Sequence, residues 1–233
     1  MNHRTKIVAT IGPATLDYNI FQEVAVAGID YIRINTAYGD TAQYDLMLEN
    51  IKKLPDHHHI PVMFDIKHED IMDYFVAHNL DVVAMSFTER AAQIQRIRER
   101  APKAFIIAKI ESKEGVKHFD EILEAADGIM VARGDLGKAE TLEKVPPLQK
   151  KFTKKTLEKE KFLVTATEML LSMTENLQPT SAEVSDVANA VFDGSTAVML
   201  SEETAIGKHP VETGYYMHRI LEEAEKWKYQ HEI

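Results

Sequence analysis

The chain has 233 residues, a formal net charge of −10, 45% hydrophobic residues and no cysteine. That length suits one domain of barrel size, residues 1–233, or two small domains, with a large buried core. The acidic balance argues against a nucleic-acid or anionic-membrane partner, because both need a basic face, and the lack of cysteine rules out disulfides and thiolate chemistry.

Met1–Thr10 is polar with basic residues and runs straight into a strand-like stretch. No signal peptide is therefore expected, and a cytoplasmic location fits. No run approaches the ~20 apolar residues of a membrane span. Short β-branched runs then alternate with amphipathic stretches of helix length. In chain order the pattern predicts strand Lys6–Thr10, helix Tyr18–Ala27, strand Asp30–Asn35, helix Ala42–Leu54, strand Pro61–Ile66 and helix Glu69–His78. It continues with strand Asp81–Ser86, helix Glu89–Arg100, strand Ala104–Ile110, helix Gly115–Glu124 and strand Gly128–Ala132. Helix Pro147–Glu160, strand Phe162–Ala166, helix Ala182–Phe192, strand Thr196–Leu200 and helix Pro210–Trp227 complete it. Longer loops are expected around Gly134–Val145 and Leu170–Thr180. Alternation of this kind implies βαβ units and a parallel sheet. Eight units close into a single (β/α)8 TIM barrel, whose usual size is ~250 residues. A doubly wound open sheet is the alternative, but Gly12-Pro13, not a Gly-x-Gly-x-x-Gly turn, follows the first strand.

Chemistry in a barrel belongs to the C-terminal strand ends. Here those ends carry Arg33 and Asn35, Asp65 and Lys67, Ser86, Lys109 and Glu111, Arg133 to Asp135, Thr167 and Glu168, and Ser201 to Glu203. The sharpest feature is the basic–acidic alternation of Lys109 with Glu111 and of Arg133 with Asp135 on adjacent strands. Side chains alternate along a strand, so Lys109 and Glu111 share a face. Glu111 and Asp135 together suit a hard, oxygen-liking cation such as Mg²⁺ or Mn²⁺, and Lys109 suits an anionic substrate or a developing enolate. A surface salt-bridge cluster is the plainer alternative. Gly134 and Gly137 permit close backbone approach, and a following helical turn would aim N–H groups at an anion. Thr167 alone reads as a structural strand-end residue. His57-His58-His59 reads as a solvated loop, and the Met-containing stretch Glu168–Met173 as packing.

The segment Arg4–Ala14 resembles the opening of the pyruvate kinases. Ala108–Glu111, Asp127–Gly137, Ser185–Val191, Met199–Ser201 and Glu203–Ala205 resemble that family's central signatures, in family order, to about Lys226. The resemblance implies a barrel that binds phosphoenolpyruvate or pyruvate, with Glu111 and Asp135 as Mg²⁺ ligands. It implies that Lys109 stabilises the transferring phosphoryl group and the enolate, and that Arg33 faces phosphate. It also implies that Gly134 and Asp135 amides hold the substrate carboxylate and that Thr167 helps protonate the enolate; Arg133 and Ser201 are further candidate substrate-binding residues. Asn35 and Asp65 match ligands of a K⁺ site, degraded here because the family's serine is Ala37. After Lys67 the chain passes directly into the third helix, so the lid domain that the family inserts there is expected to be absent. A C-terminal domain is expected to be absent too, leaving a surface for a homo-oligomeric contact. Glu168, Leu171, Ser181 and Glu202 replace the family's glutamine, glutamate, arginine and glycine.

Three functions fit this reading. The first is a Mg²⁺-dependent enzyme acting on phosphoenolpyruvate, pyruvate or a related 2-oxo acid through an enolate. Phosphotransfer to ADP is weakened by the missing lid. The second is a 2-oxo acid lyase or decarboxylase on the same site. The third is a non-catalytic binding or regulatory homologue. The joint presence of Lys109, Glu111, Arg133, Asp135 and Thr167 favours an enzyme.

Overall fold

The computed structural model describes residues 5–55 and 60–231; the triple histidine lies outside them. Its strands are β1 (Lys6–Ile11), β2 (Tyr31–Asn35), β3 (Val62–Ile66), β4 (Val82–Met85), β5 (Phe105–Ile110), β6 (Gly128–Ala132), β7 (Phe162–Ala166) and β8 (Ala197–Leu200). They follow one another in sequence order as a closed barrel, the expected (β/α)8 class. Every residue of β3, β4, β6 and β8 is buried, as parallel strands covered on both faces require. Among the described residues no helix is long and apolar enough to cross a membrane.

The chain divides into two compact units, Met1–Ile34 with Tyr38–Pro61 and Thr167–Ile233, and Asn35–Ala37 with Val62–Ala166. In the first unit β1 pairs in parallel with both β2 and β8. Its helices are α1 (Tyr18–Val26), α2 (Thr41–Lys52), α9 (Ser181–Asp193), α10 (Glu202–Ala205) and α11 (Pro210–Gln230). Local chemistry sets their ends. Asp17 accepts from the Asn19 and Ile20 amides to start α1. Thr180 and Glu183 form a reciprocal capping box at α9, and Gly194 ends it at φ 98°, a left-handed position that glycine takes without strain. The core packs Ile7, Val24, Val187, Val198, Met217 and Leu221.

The second unit runs β3 to β7 as consecutive parallel neighbours. Its helices are α3 (Met72–Ala77), α4 (Ala91–Arg100), α5 (Lys113–Lys117), α6 (Phe119–Ala125), α7 (Arg133–Ala139) and α8 (Val145–Glu158). Phe119 stacks on Phe152 at 4.2 Å between ring centroids. Two predicted helices are broken: a 3-10 turn, Glu69–Ile71, precedes α3, and α5 and α6 divide at His118. The predicted loop Gly134–Val145 instead holds most of α7 and a 3-10 turn, Leu142–Lys144. Two glycines in α7 each cost about 1 kcal/mol of helix propensity. Fully buried Leu136 is the tertiary contact that outweighs them.

Gly12 owes its place to space. A Cβ there would lie 2.7 Å from the carbonyl oxygen of Ala205 at the end of α10. Gly12→Ala should therefore lower unfolding free energy by about 1–3 kcal/mol, as overpacking does. Urea titration of both proteins checks this, and equal midpoints would show that α10 yields freely.

Candidate active site

Four side chains meet at the strand ends of the second unit. Asp65 is on β3 with no solvent exposure, Ser86 follows β4, Lys109 is on β5 and Glu111 follows it; all are buried. Lys109 Nζ lies 3.1 and 3.0 Å from the two Asp65 carboxylate oxygens, and 3.0 Å from Glu111 Oε1. It donates to Ser86 Oγ at 2.8 Å, and Ser86 Oγ donates to Asp65 at 3.1 Å. The second Glu111 oxygen accepts the Phe87 amide at 2.7 Å. Phe87 has φ 47°, unusual for an aromatic residue and a mark of a constrained site. Its carbonyl is held by Gln93 Nε2 at 3.2 Å.

Burial raises the Glu111 pKa first of all, and the Asp65 charge adds to the rise; Lys109 and the Phe87 amide oppose it without cancelling it. Taking an ammonium and two carboxylates out of water costs several kcal/mol per ion, and well-packed apolar residues are often no less stable in such places. A buried charged cluster at strand ends therefore reads as site chemistry rather than as a stability device.

Arg133 opens α7 directly after β6 and is buried. Asp135 lies in the first turn of α7, with its carboxylate part-exposed and 2.9 Å from Lys138 Nζ. Glu111 and Asp135 thus come from segments following paired strands. Mg²⁺ is commonly held by one or two carboxylates with substrate and water completing its shell. Among the described residues no group of three or more acidic, His or Cys side chains gathers as a protein-only cage. Both carboxylates are lysine-paired, Glu111 with Lys109 and Asp135 with Lys138.

The first unit has its own polar cluster. Arg33 on β2 is buried and donates to Thr10 Oγ1 at 2.8 Å and to Ser201 Oγ at 3.4 Å. Glu203, fully buried, accepts the Ser201 amide at 2.7 Å and the Leu170 amide at 3.1 Å. Burial drives its pKa up, although those amide bonds pull the other way. Thr167 and Glu168, just after β7, have φ 67° and 55°. Left-handed backbone at a β-branched residue is an outlier that surrounding structure must enforce. Asn35 Oδ1, in the second unit, accepts the Ala37 amide at 3.1 Å.

Sequence reasoning paired Lys109 with Glu111 but missed Lys109's hold on Ser86 and the Phe87 amide's hold on Glu111. Ser86 carries a weak signal as a hydroxyl ending an apolar strand. The Phe87 contact is made by backbone and has none.

These features define the class: a (β/α)8 barrel with a buried lysine–carboxylate centre at its strand ends. Residues 60–214 match the family model of the pyruvate kinase barrel domain, and the chain belongs to that family. It is 46% identical over 163 residues to a pyruvate kinase of Thermococcus litoralis, covering 68% of this chain and 34% of that protein. It is 50% identical over 165 residues to one of Chlamydia pneumoniae, covering 68% and 34%. It is 51% identical over 166 residues to one of Geobacillus stearothermophilus, covering 69% and 28%. The matched part is about a third of the length of these relatives.

The raised Glu203 pKa has a stability consequence. Its ionised form is the costly one, so the stability it contributes is full below the usual carboxylate range and is lost as pH rises through the higher folded value. The difference in unfolding free energy between wild type and Glu203→Gln should therefore shift toward the variant as pH rises across that interval. Urea unfolding over a pH series measures it; a shift toward wild type would show that the amide bonds outweigh burial.

Proposed function

We propose that the chain is a pyruvate kinase-like enzyme acting on phosphoenolpyruvate, pyruvate or a related 2-oxo acid through an enolate. The observation that carries this reading is the buried Lys109, fixed by Asp65, Ser86 and Glu111 within 3.1 Å. A positive charge held in a dry, preformed setting is worth most where negative charge develops during reaction. Lys109 thus supplies charge to the oxygen that becomes the enolate oxygen. It needs no reorganisation, because three neighbours already orient it.

Glu111 and Asp135 would hold a divalent cation, Mg²⁺ or Mn²⁺, which supplies Lewis-acid polarisation of the 2-oxo acid carbonyl when bound. Arg133 and the Gly134 and Asp135 amides, which directly follow β6, bind the substrate carboxylate in this reading.

One observation favours chemistry on the 2-oxo acid itself over transfer to ADP. The segment after β3 passes through Lys67 and His68 straight into the 3-10 turn Glu69–Ile71, with no inserted lid. Phosphoryl transfer relies on closure around the nucleotide. Enolisation, β-keto acid decarboxylation and aldol-type cleavage need only the carbonyl, the metal and Lys109.

The test is loss of the pyruvate methyl protons in D₂O, followed by NMR with and without Mg²⁺. Metal-dependent exchange is expected, falling by roughly 10²–10³ in Lys109→Ala, the loss typical of removing one charge-stabilising donor. Exchange absent with pyruvate and its close analogues, or equal in wild type and Lys109→Ala, would reject an enzyme of this kind. Pyruvate formation from phosphoenolpyruvate and ADP then separates kinase from lyase.

A further inference from the structure

Asn35, Asp65 and the residue at position 37 are where a monovalent cation would be sought from the sequence, yet their oxygens are already engaged. The Asp65 carboxylate, with no solvent exposure, faces Lys109 Nζ through both oxygens, at 3.1 and 3.0 Å, and accepts from Ser86 Oγ at 3.1 Å. The Asp65 carbonyl accepts both the amide and the hydroxyl of Thr36, each at 2.9 Å. The next carbonyl, of Ile66, accepts the Ser86 amide at 2.8 Å. Asn35 Oδ1 is turned back onto the Ala37 amide at 3.1 Å, and Ala37 has no side-chain oxygen.

A dehydrated K⁺ needs a shell of oxygens to replace its water. Here each of those oxygens serves a donor of the chain itself, and an ammonium already lies against the one full negative charge. A second cation beside it would be repelled by Lys109 and would have to share oxygens that already serve these donors. We propose that Lys109 is the built-in monovalent cation of this site: its Nζ neutralises Asp65, and the chain neither binds nor requires K⁺. Ser86 makes the arrangement self-consistent, because its hydroxyl accepts from Lys109 while donating to Asp65.

The test reads folding rather than catalysis, so its outcome is separate from that of the proposed reaction. Thermal unfolding midpoints are measured in potassium, ammonium and tetramethylammonium chloride at equal ionic strength, above the usual carboxylate pH range. Wild type is expected to show the same midpoint in all three. A potassium-specific rise in wild type that Asp65→Asn abolishes would overturn the proposal. Lys109→Ala is expected to melt several degrees lower in tetramethylammonium and to recover part of the loss in ammonium or potassium, which enter the vacated position. A folded Lys109→Ala protein that ignores all three cations would also overturn it. The wild-type comparison decides the matter by itself should that variant not fold.

Discussion

The buried ammonium of Lys109 is the constraint around which the second unit's site is arranged. An ion of this size pays several kcal/mol to leave water, and only close, well-aligned partners offset that cost. Asp65, Ser86 and Glu111 provide them within 3.1 Å. Each partner comes from the C-terminal end of a different strand segment, so parallel pairing from β3 to β5 fixes the three positions without any loop having to fold precisely. The same pairing accounts for the state of Glu111. Its carboxylate is buried, paired on one oxygen with Lys109 and held on the other by an amide whose residue adopts left-handed backbone.

The polar cluster of the first unit is built on another principle. Arg33 donates to two hydroxyls, those of Thr10 and Ser201. Glu203 is solvated by amides, those of Ser201 and Leu170, and its burial is the source of its raised pKa. The bond to Leu170 also bears on the strained pair Thr167 and Glu168. Left-handed backbone at such residues costs about 1–3 kcal/mol each. It persists because the chain is anchored immediately afterwards, by fully buried Met169 and Leu170 and by the Glu203 bond. Thr167 is thereby held in one backbone geometry.

Much of the fold was legible in the sequence because burial on both faces makes parallel strands read as unbroken apolar runs. β6 and β7 fall where the pattern puts them, and the other strands differ only at their ends. The strand-end rule also found Lys109, Glu111 and Asp65 as residues of one rim. What the pattern could not give depends on distance between remote residues or on backbone conformation. Lys109, which lies against Asp65, is 44 positions away in the sequence, so no local pattern links the two. The Phe87 amide leaves no trace in residue identity, and neither does positive φ at Phe87 or Thr167. In α7, two glycines spoke for a loop, and only the burial of Leu136 reverses that reading.

Membership of the pyruvate kinase family and the short path from β3 to α3 point the same way. The proposed reaction rests on Lys109, Glu111 and Asp135, and the chain runs from β3 into the 3-10 turn Glu69–Ile71 within two residues. The claim at the centre is that Glu111 and Asp135 share a metal while Lys109 faces the substrate oxygen. A crystal structure with Mg²⁺ and oxalate, a mimic of the enol form of pyruvate, tests it most directly. The account predicts Mg²⁺ bound by both carboxylates, Lys138 released from Asp135, and Lys109 Nζ within hydrogen-bond reach of an oxalate oxygen. Metal bound elsewhere, or oxalate seated away from Lys109, would contradict it.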